Sequence, residues 1–478
     1  MDMQQKVKEI LNSPQGVGIV YFIGIGGIGM SALARYFKSL NKEVSGYDKT
    51  ETTLTKELVT EGIKVHYNDD LNLIPKDADL VIYTPAVPQD HEELNYFRDN
   101  NYAVVKRSDV LGAITADRFN ICIGGTHGKT TISAMTAHIL RHTGYGCNAF
   151  LGGISTNYET NFWSSENETC VVEADEYDRS FLKLSPDIAV ITSIDADHLD
   201  IYGTEENLQD AFVEFGSKVK EGGLFIGRHG LKKLSEVKAS RKLSYSLQNE
   251  AADVFASEIK IDEGGYEFSV QVAGNSISNL KLNVGGMHNV ENMVAAITVA
   301  LELDIDTDKI REAVKAYEGV KRRFEYILPP QKQQPGHYVY PVFIDDYAHH
   351  PQELRVLLKS ARSLFPQRKL TVVFQPHLFS RTKDHADDFA SVLSMADDVI
   401  LLPIYPAREK PIDGVSSEMI LNRITAKEKH LVQKEEFLKW MEDHLKNINK
   451  EFGEVIITAG AGDIDTLVQP LQKIIYQA

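Results

Sequence analysis

The chain has 478 residues, 43% of them hydrophobic and 25% charged, with a formal net charge of −17. This length suits about three domains, and the negative balance excludes bulk attraction to nucleic acid or an anionic membrane, so an anionic ligand must be held by local groups. The N-terminus lacks a basic region followed by an apolar one, and no uncharged apolar run approaches the roughly 20 residues of a membrane span, so a cytoplasmic protein is expected. Cys122, Cys147 and Cys170 show no CxxC spacing and read as buried, reduced thiols.

The first segment, residues 1–116, alternates strand and helix. GIVYFIGIG is a strand, and MSALARYFKSL is a helix with Met30, Leu33, Phe37 and Leu40 on one face. EVSGYD, DLVIYTPAV and YAVVKRS read as further buried strands, giving a small parallel, Rossmann-like sheet. The second segment, 117–328, opens with the strand and glycine-rich turn FNICIGGTHGKT, followed by a helix with Ile132, Met135 and Ile139 on one stripe. Strands ETCVVEADE and DIAVITSID follow; GGLFIG, KLSYSL and YEFSVQVAG suggest an added mixed or antiparallel edge. The helix NVENMVAAITVALEL closes the segment before a polar linker or hairpin, LPPQKQQPGHY. The third segment, 329–478, repeats the α/β rhythm through PVFIDDYA, PQELRVLLKSARSLF, KLTVVFQP, DHADDFASVLSMA, DDVILLPIY, EVIITAGAG and a final helix.

Two turns ask for phosphate. In GGTHGKTT the glycines free backbone N–H groups to face phosphate oxygens at a helix N-terminus, Lys129 can reach the β and γ phosphates, and the Thr130 hydroxyl can ligate Mg²⁺. Ile123 stands where the usual GxxxxGK[ST] pattern has glycine, but Gly124, Gly125 and Gly128 supply backbone freedom. Earlier, GIGGIG fits GxGxxG through Gly24, Gly26 and Gly29, and Asp48 closes the next strand at the ribose-reading distance. The pattern admits a nicotinamide dinucleotide or a nucleotide sugar.

Strand tips carry the remaining candidates. VVEADEYD sets Glu173 and Asp175 at one tip and ITSIDADHLD sets Asp195, Asp197 and His198 at the next, on the edge expected to hold the phosphate turn. Their oxygens suit Mg²⁺, whereas an isolated His is also consistent with a surface residue. Asn289 and Asn292 begin a helix on one face, as an adenine reader or a simple cap. Lys321, Arg322 and Arg323 form a solvated patch or a γ-phosphate clamp. FIDDYAHHP and FQPHLFSRT bring Asp345, Asp346, Tyr347, His349, His350, His377 and Arg381 to two further tips, a pattern for a small carboxylate or a metal.

Taken together, FIGIGGIGMSALA, GGTHGKTT, EADEYDRSFLKLSP, DADHLDIYG, GMHNVENMVAA, KRRF, DDYAHHP, FQPHLFSRT and YPAREKPI resemble the Mur ligases of peptidoglycan synthesis over essentially the whole chain. The resemblance implies an α/β fold of three domains: a Rossmann-like one for a UDP-sugar, a central P-loop ATPase-like one with added strands, and a C-terminal Rossmann-like one for an amino acid. It implies that the first turn (Gly24, Gly26, Gly27, Gly29, with Asp48) serves UDP-N-acetylmuramate and no nicotinamide. The second turn (Gly124, Gly125, Thr126, His127, Gly128, Lys129, Thr130, Thr131) would hold ATP, with Thr130, Glu173 and His198 on Mg²⁺. Asn289 and Asn292 would contact the nucleotide, Arg323 and Asp346 would close on it, and Tyr347, His349, His350, His377 and Arg381 would lie near the amino acid. The implied reaction joins L-alanine to the lactyl carboxylate through an acyl phosphate, releasing ADP and phosphate, in a monomer or homodimer. Rival readings are a ligase that adds a tripeptide to the same sugar, a nicotinamide oxidoreductase, and a nucleotide-binding regulator without turnover.

Overall fold

The computed structural model describes residues 3–12, 16–331, 340–407, 409–448 and 451–477; most of the expected linker (332–339), and Arg408 of YPAREKPI, lie outside the described residues. Three sheets organise the chain. Strands β1 (Ile19–Ile23), β2 (Glu43–Tyr47), β3 (Lys64–His66), β4 (Leu80–Tyr83) and β5 (Val104–Lys106) make an all-parallel sheet in the order β3-β2-β1-β4-β5. The direction of strand order reverses at β1, so the crevice outside its carboxyl end is where a ligand binds in such sheets.

The second sheet comprises β6 (Asn120–Gly124), β7 (Asn148–Ser155), β8 (Thr160–Trp163), β9 (Cys170–Glu173), β10 (Ile188–Ile191), β11 (Leu224–Arg228), β12 (Arg241–Ser246), β13 (Val254–Asp262), β14 (Gly265–Val272) and β15 (Asn275–Leu282). Its order is β15-β14-β13-β12-β11-β10-β6-β9-β7-β8. Strand β6 runs parallel to both neighbours, β10 and β9, which aligns Ile123 with Glu173 and Gly124 with Ile191 at one edge. The third sheet has β16 (Glu325–Leu328), β17 (Val342–Asp346), β18 (Lys369–Phe374), β19 (Asp398–Leu401), β20 (Glu428–Leu431) and β21 (Glu454–Ala459), in the order β16-β17-β21-β18-β19-β20, with only β16 antiparallel.

The chain divides into two compact units, one of residues 1–256, 270–276 and 291–313, the other of 257–269, 277–290 and 314–478. In the first, the helix Ile28–Ser39 is buried along its whole stretch from Met30 to Phe37. A helix buried all round needs cover on both sides; here β1 and β2 take one side and β7 and β8 the other. The one-face expectation is corrected at Leu40, which lies past the last helical turn and is 47% exposed. Ile132, Met135 and Ile139 of the helix Lys129–His142 are fully buried, and all three cysteines are buried and free, as expected. In the second unit, Phe343, Val373, Ile400 and Ile456 of the third sheet pack with Leu471 and Ile475 of the last helix. No helix among the described residues is long and apolar enough to cross a membrane.

One buried amide ties the Ile28–Ser39 helix to β8. Asn161, fully buried, accepts from Arg35 Nη1 at 2.5 Å and donates to the Ile28 carbonyl at 2.6 Å and to Ser31 Oγ at 3.0 Å. Asn161→Ala leaves these groups buried without that partner, and should cost about 1–3 kcal/mol, read as an earlier first transition on urea unfolding; an unchanged transition would show that the amide is dispensable.

Candidate active site

The first glycine turn follows β1. Gly24 has φ +88, and its N–H and that of Ile25 donate to the Tyr47 carbonyl at 2.8 and 2.9 Å, folding the chain back against β2. The helix Ile28–Ser39 then starts at Gly27 without a side-chain cap, which leaves its N-terminal N–H groups aimed at an incoming anion. Asp48, expected on a ribose, here braces the turn: Oδ2 accepts from Gly26 N at 2.8 Å, and Oδ1 from Thr50 N at 3.2 Å.

The second turn follows β6. Gly125 at φ +135 fits closely against Thr192, where a β-carbon would collide with its hydroxyl, and Gly128 at φ +82 opens the helix Lys129–His142, again with no side-chain cap. The turn is moored to the tip of β10: Ser193 Oγ accepts from His127 N at 2.8 Å and bonds Thr126 Oγ1 at 2.8 Å, and Thr192 Oγ1 donates to the His127 carbonyl at 2.5 Å. The Asn292 amide lies against Gly128, whose β-carbon would come 3.1 Å from its oxygen. Asn289 lies inside the first turn of the helix Met287–Glu302 and is not its cap; its amide is buried and donates to the Gly285 carbonyl at 2.7 Å.

Lys129 and Thr130 both face carboxylates. Lys129 Nζ sits 2.8 Å from the Glu176 carboxylate, which is 1% exposed, and 2.7 Å from the Gly125 carbonyl. Thr130 Oγ1 donates to Glu173 at 3.1 Å, and the other Glu173 oxygen accepts from Gly152 N at 3.0 Å. His198 takes the left-handed conformation at φ 49, costly for a residue with a β-carbon. That backbone presents Nε2 at 3.9 Å from Glu176 and 3.7 Å from Asp197. Glu176, Asp197 and His198 offer three ligand atoms mutually within 4.8 Å. This set of two carboxylates and one imidazole fits a hard divalent cation that keeps several waters. Glu173 is bonded to Thr130 and Gly152 and is not one of this trio; Glu176 was missed in the sequence, where its signal was a third carboxylate in EADEYD.

The second unit gathers another set. Asp346 Oδ2 and Oδ1 accept from Phe324 N and Ala348 N, both at 2.7 Å, while burial raises the carboxyl to about 6, opposed by the Arg323 charge. Arg322 is committed elsewhere, to Asp345 at 3.1 Å and to the Gly460 carbonyl at 2.5 Å, and its guanidinium lies 5.2 Å from the Tyr347 ring. The rings of His349 and His377 meet at 6.1 Å, Tyr347 stands 5.2 Å from His349, and Arg381 Nη1 reaches His377 Nδ1 at 3.4 Å. His350 caps the helix Pro351–Leu364 and packs on His385 at 4.9 Å, and the Arg381 and His349 charges act on it. The structure thus brings Tyr347, His349, His377 and Arg381 together, with His350 at the start of the adjoining helix and within reach of the Arg381 charge.

Burial, then the Arg381 charge, lowers His377 from 6.5 to about 4. The folded chain therefore resists a proton that the unfolded chain accepts, so this group's contribution is intact above pH 6.5 and is lost as pH falls toward 4. His377→Gln should lose less stability than the wild type between pH 7 and pH 5, measured by urea midpoints; an equal loss would contradict the shift.

Three family models match: the Mur ligase family, catalytic domain, over residues 19–119; the Mur ligase middle domain over 123–300; and the Mur ligase, glutamate ligase domain over 322–462. The UDP-N-acetylmuramate–L-alanine ligase of Cytophaga hutchinsonii is 47% identical over 467 residues, 96% of this chain and 97% of that one. That of Flavobacterium johnsoniae is 46% identical over 463 residues, 96% and 98%. Among solved structures, the UDP-N-acetylmuramate-alanine ligase of Thermotoga maritima is similar at TM-score 0.79 and 29% identity, covering 96% of this chain and 99% of that one. A murein peptide ligase from Psychrobacter arcticus shares the fold at TM-score 0.67 and 21% identity, covering 97% and 99%.

Proposed function

The chain belongs to the Mur ligase family, and from that premise we propose that it joins L-alanine to the lactyl carboxylate of UDP-N-acetylmuramate, with ATP converted to ADP and phosphate, in peptidoglycan precursor synthesis. One observation carries the reading beyond family likeness. A single cleft is lined by Gly27 and Gly29 of the first turn and by Glu173 and Asp175 beyond the second, so a ligand anchored at the one has a path toward a phosphate held at the other. A nicotinamide oxidoreductase has no use for the second turn.

Residues 1–116 take the UDP-sugar at Gly24, Gly26, Gly27 and Gly29; residues 117–328 take ATP at Gly124 to Thr131, with Asn289 and Asn292 on the nucleotide; residues 329–478 take L-alanine near Tyr347, His349, His377 and Arg381. The lactyl carboxylate attacks the γ-phosphorus, breaks its bond to the β-γ bridging oxygen, and leaves ADP and an acyl phosphate. Both reactants are anionic, so the attack depends on cations that offset their repulsion and stabilise the spreading charge. Lys129 supplies one by exchanging Glu176 for phosphate oxygens, and Arg323 supplies another. Mg²⁺, held by Thr130, Glu173 and His198 with Glu176 beside them, would neutralise phosphate charge when bound.

The amine of L-alanine then attacks the acyl carbon, and phosphate departs as the amide forms. That amine must be unprotonated, so a nearby group has to accept its proton.

Glu173→Ala and His198→Ala should each lower turnover by more than about 100-fold while leaving the far-ultraviolet spectrum intact; near-normal rates in either would remove that residue from the cation site. With both nucleotides present, L-alanine should drive ADP release and a tripeptide should not. A preference for the tripeptide would transfer the chain to the recycling reaction.

A further inference from the structure

Strand β5 ends at Lys106, and the helix Arg107–Thr115 starts at once, which puts Arg107 at the carboxyl edge of the first sheet, where ligands of parallel sheets lie. There it meets the first glycine turn. A β-carbon on Gly29 would come 2.8 Å from Arg107 Nη1 and 3.2 Å from its Cδ and Cζ, so the guanidinium stem fills the space that this glycine leaves empty. In a dinucleotide fingerprint the third glycine lets helix and strand pack closely; in this chain it makes room for a cation.

Of the residues lining the cleft between the two turns, Arg107 alone is cationic, against Glu173, Asp175 and Asp178. Its ion pair among the described residues, Nη2 to Asp175 Oδ2, is 3.5 Å long, and that carboxylate is 41% exposed. Such a contact is at the limit of a hydrogen bond and is readily exchanged. The neighbouring lysines are held more tightly, Lys106 at 3.0 Å from Asp178 and Lys183 at 2.6 Å from Asp109. A guanidinium fork matches two phosphate oxygens at once, and the uncapped helix start at Gly27 favours negative charge at the same place.

We propose that Arg107 is a substrate-positioning residue that leaves Asp175 for the diphosphate of the UDP-sugar and fixes it over the first glycine turn. The inference rests on the assignment of that turn to the UDP-sugar. It identifies the group that orients the sugar acid, and it makes Gly29 necessary for seating that group.

The test compares wild type with Arg107→Met, Arg107→Lys and Gly29→Ala by steady-state kinetics and by inhibition with UDP, which has the diphosphate and no lactyl carboxylate. Arg107→Met should raise KM for UDP-N-acetylmuramate by about 10- to 100-fold and weaken UDP inhibition by a similar factor, with KM for ATP and L-alanine within about twofold. Arg107→Lys should recover only part of the loss, because an ammonium lacks the fork, and Gly29→Ala should reproduce the Arg107→Met pattern. An unchanged KM for the UDP-sugar, or a loss confined to UDP-N-acetylmuramate while UDP inhibits as before, would overturn the proposal. A wild-type enzyme that UDP and the UDP-sugar do not engage at all would instead bring down the assignment of the turn, and the proposal with it.

Discussion

A charge held inside a protein must be compensated where it sits, and in this acidic chain three cations near the strand tips stand beside carboxylates. Lys129 is paired with the buried Glu176 at 2.8 Å, Arg107 with Asp175 at 3.5 Å, and Arg322 with Asp345 at 3.1 Å. The pairs have different fates. Glu176 and Asp345 are nearly inaccessible, at 1% and 2% exposure, so removing their cation leaves a buried anion that needs a replacement. At Glu176 the neighbouring Asp197 and His198 offer ligand atoms within 4.8 Å, a set that suits a divalent cation. At Asp345 no exchange is required, since Thr458 Oγ1 and Arg322 already satisfy it.

The two glycine turns depend on backbone rather than on side chains. Gly24, Gly125 and Gly128 all adopt positive φ at the ends of parallel strands, and each following helix begins without a side-chain cap. An uncapped N-terminus is an incomplete hydrogen-bonding site until an anion occupies it. Gly29 and Gly125 add a second requirement, close approach: one borders Arg107 and the other Thr192.

Strands bearing the motifs were legible because they are buried on both faces and therefore read as continuous apolar runs: IVYFI in β1, IAVI in β10, EVIITA in β21. The short polar edge strands β3 (KVH) and β20 (EKHL) carry no such run, and β7 is interrupted by Gly152 and Gly153. The burial of the Ile28–Ser39 helix on both sides was hidden for a related reason, since its cover comes from β7 and β8, over a hundred residues away. Within the site, Lys129 and Thr130 followed from local spacing, and so did the carboxylates at strand tips. Glu176 and Arg107 did not, because what distinguishes them is a partner, Lys129 for the one and the empty space at Gly29 for the other, that only the fold brings near. Asp48 and Asn289 sit where the motif expects them, and the fold adds backbone bonds the sequence did not show, from Gly26 N to Asp48 and from the Asn289 amide to the Gly285 carbonyl.

Direct transfer of phosphorus from ATP to the sugar acid is the step on which the whole account turns. UDP-N-acetylmuramate labelled with ¹⁸O in its lactyl carboxylate, turned over with ATP and L-alanine, tests it by mass spectrometry of the released phosphate. One carboxylate oxygen should appear in each phosphate, because the acyl phosphate carries it there when the amide forms. Phosphate free of label, alongside normal amide formation, would contradict the mechanism.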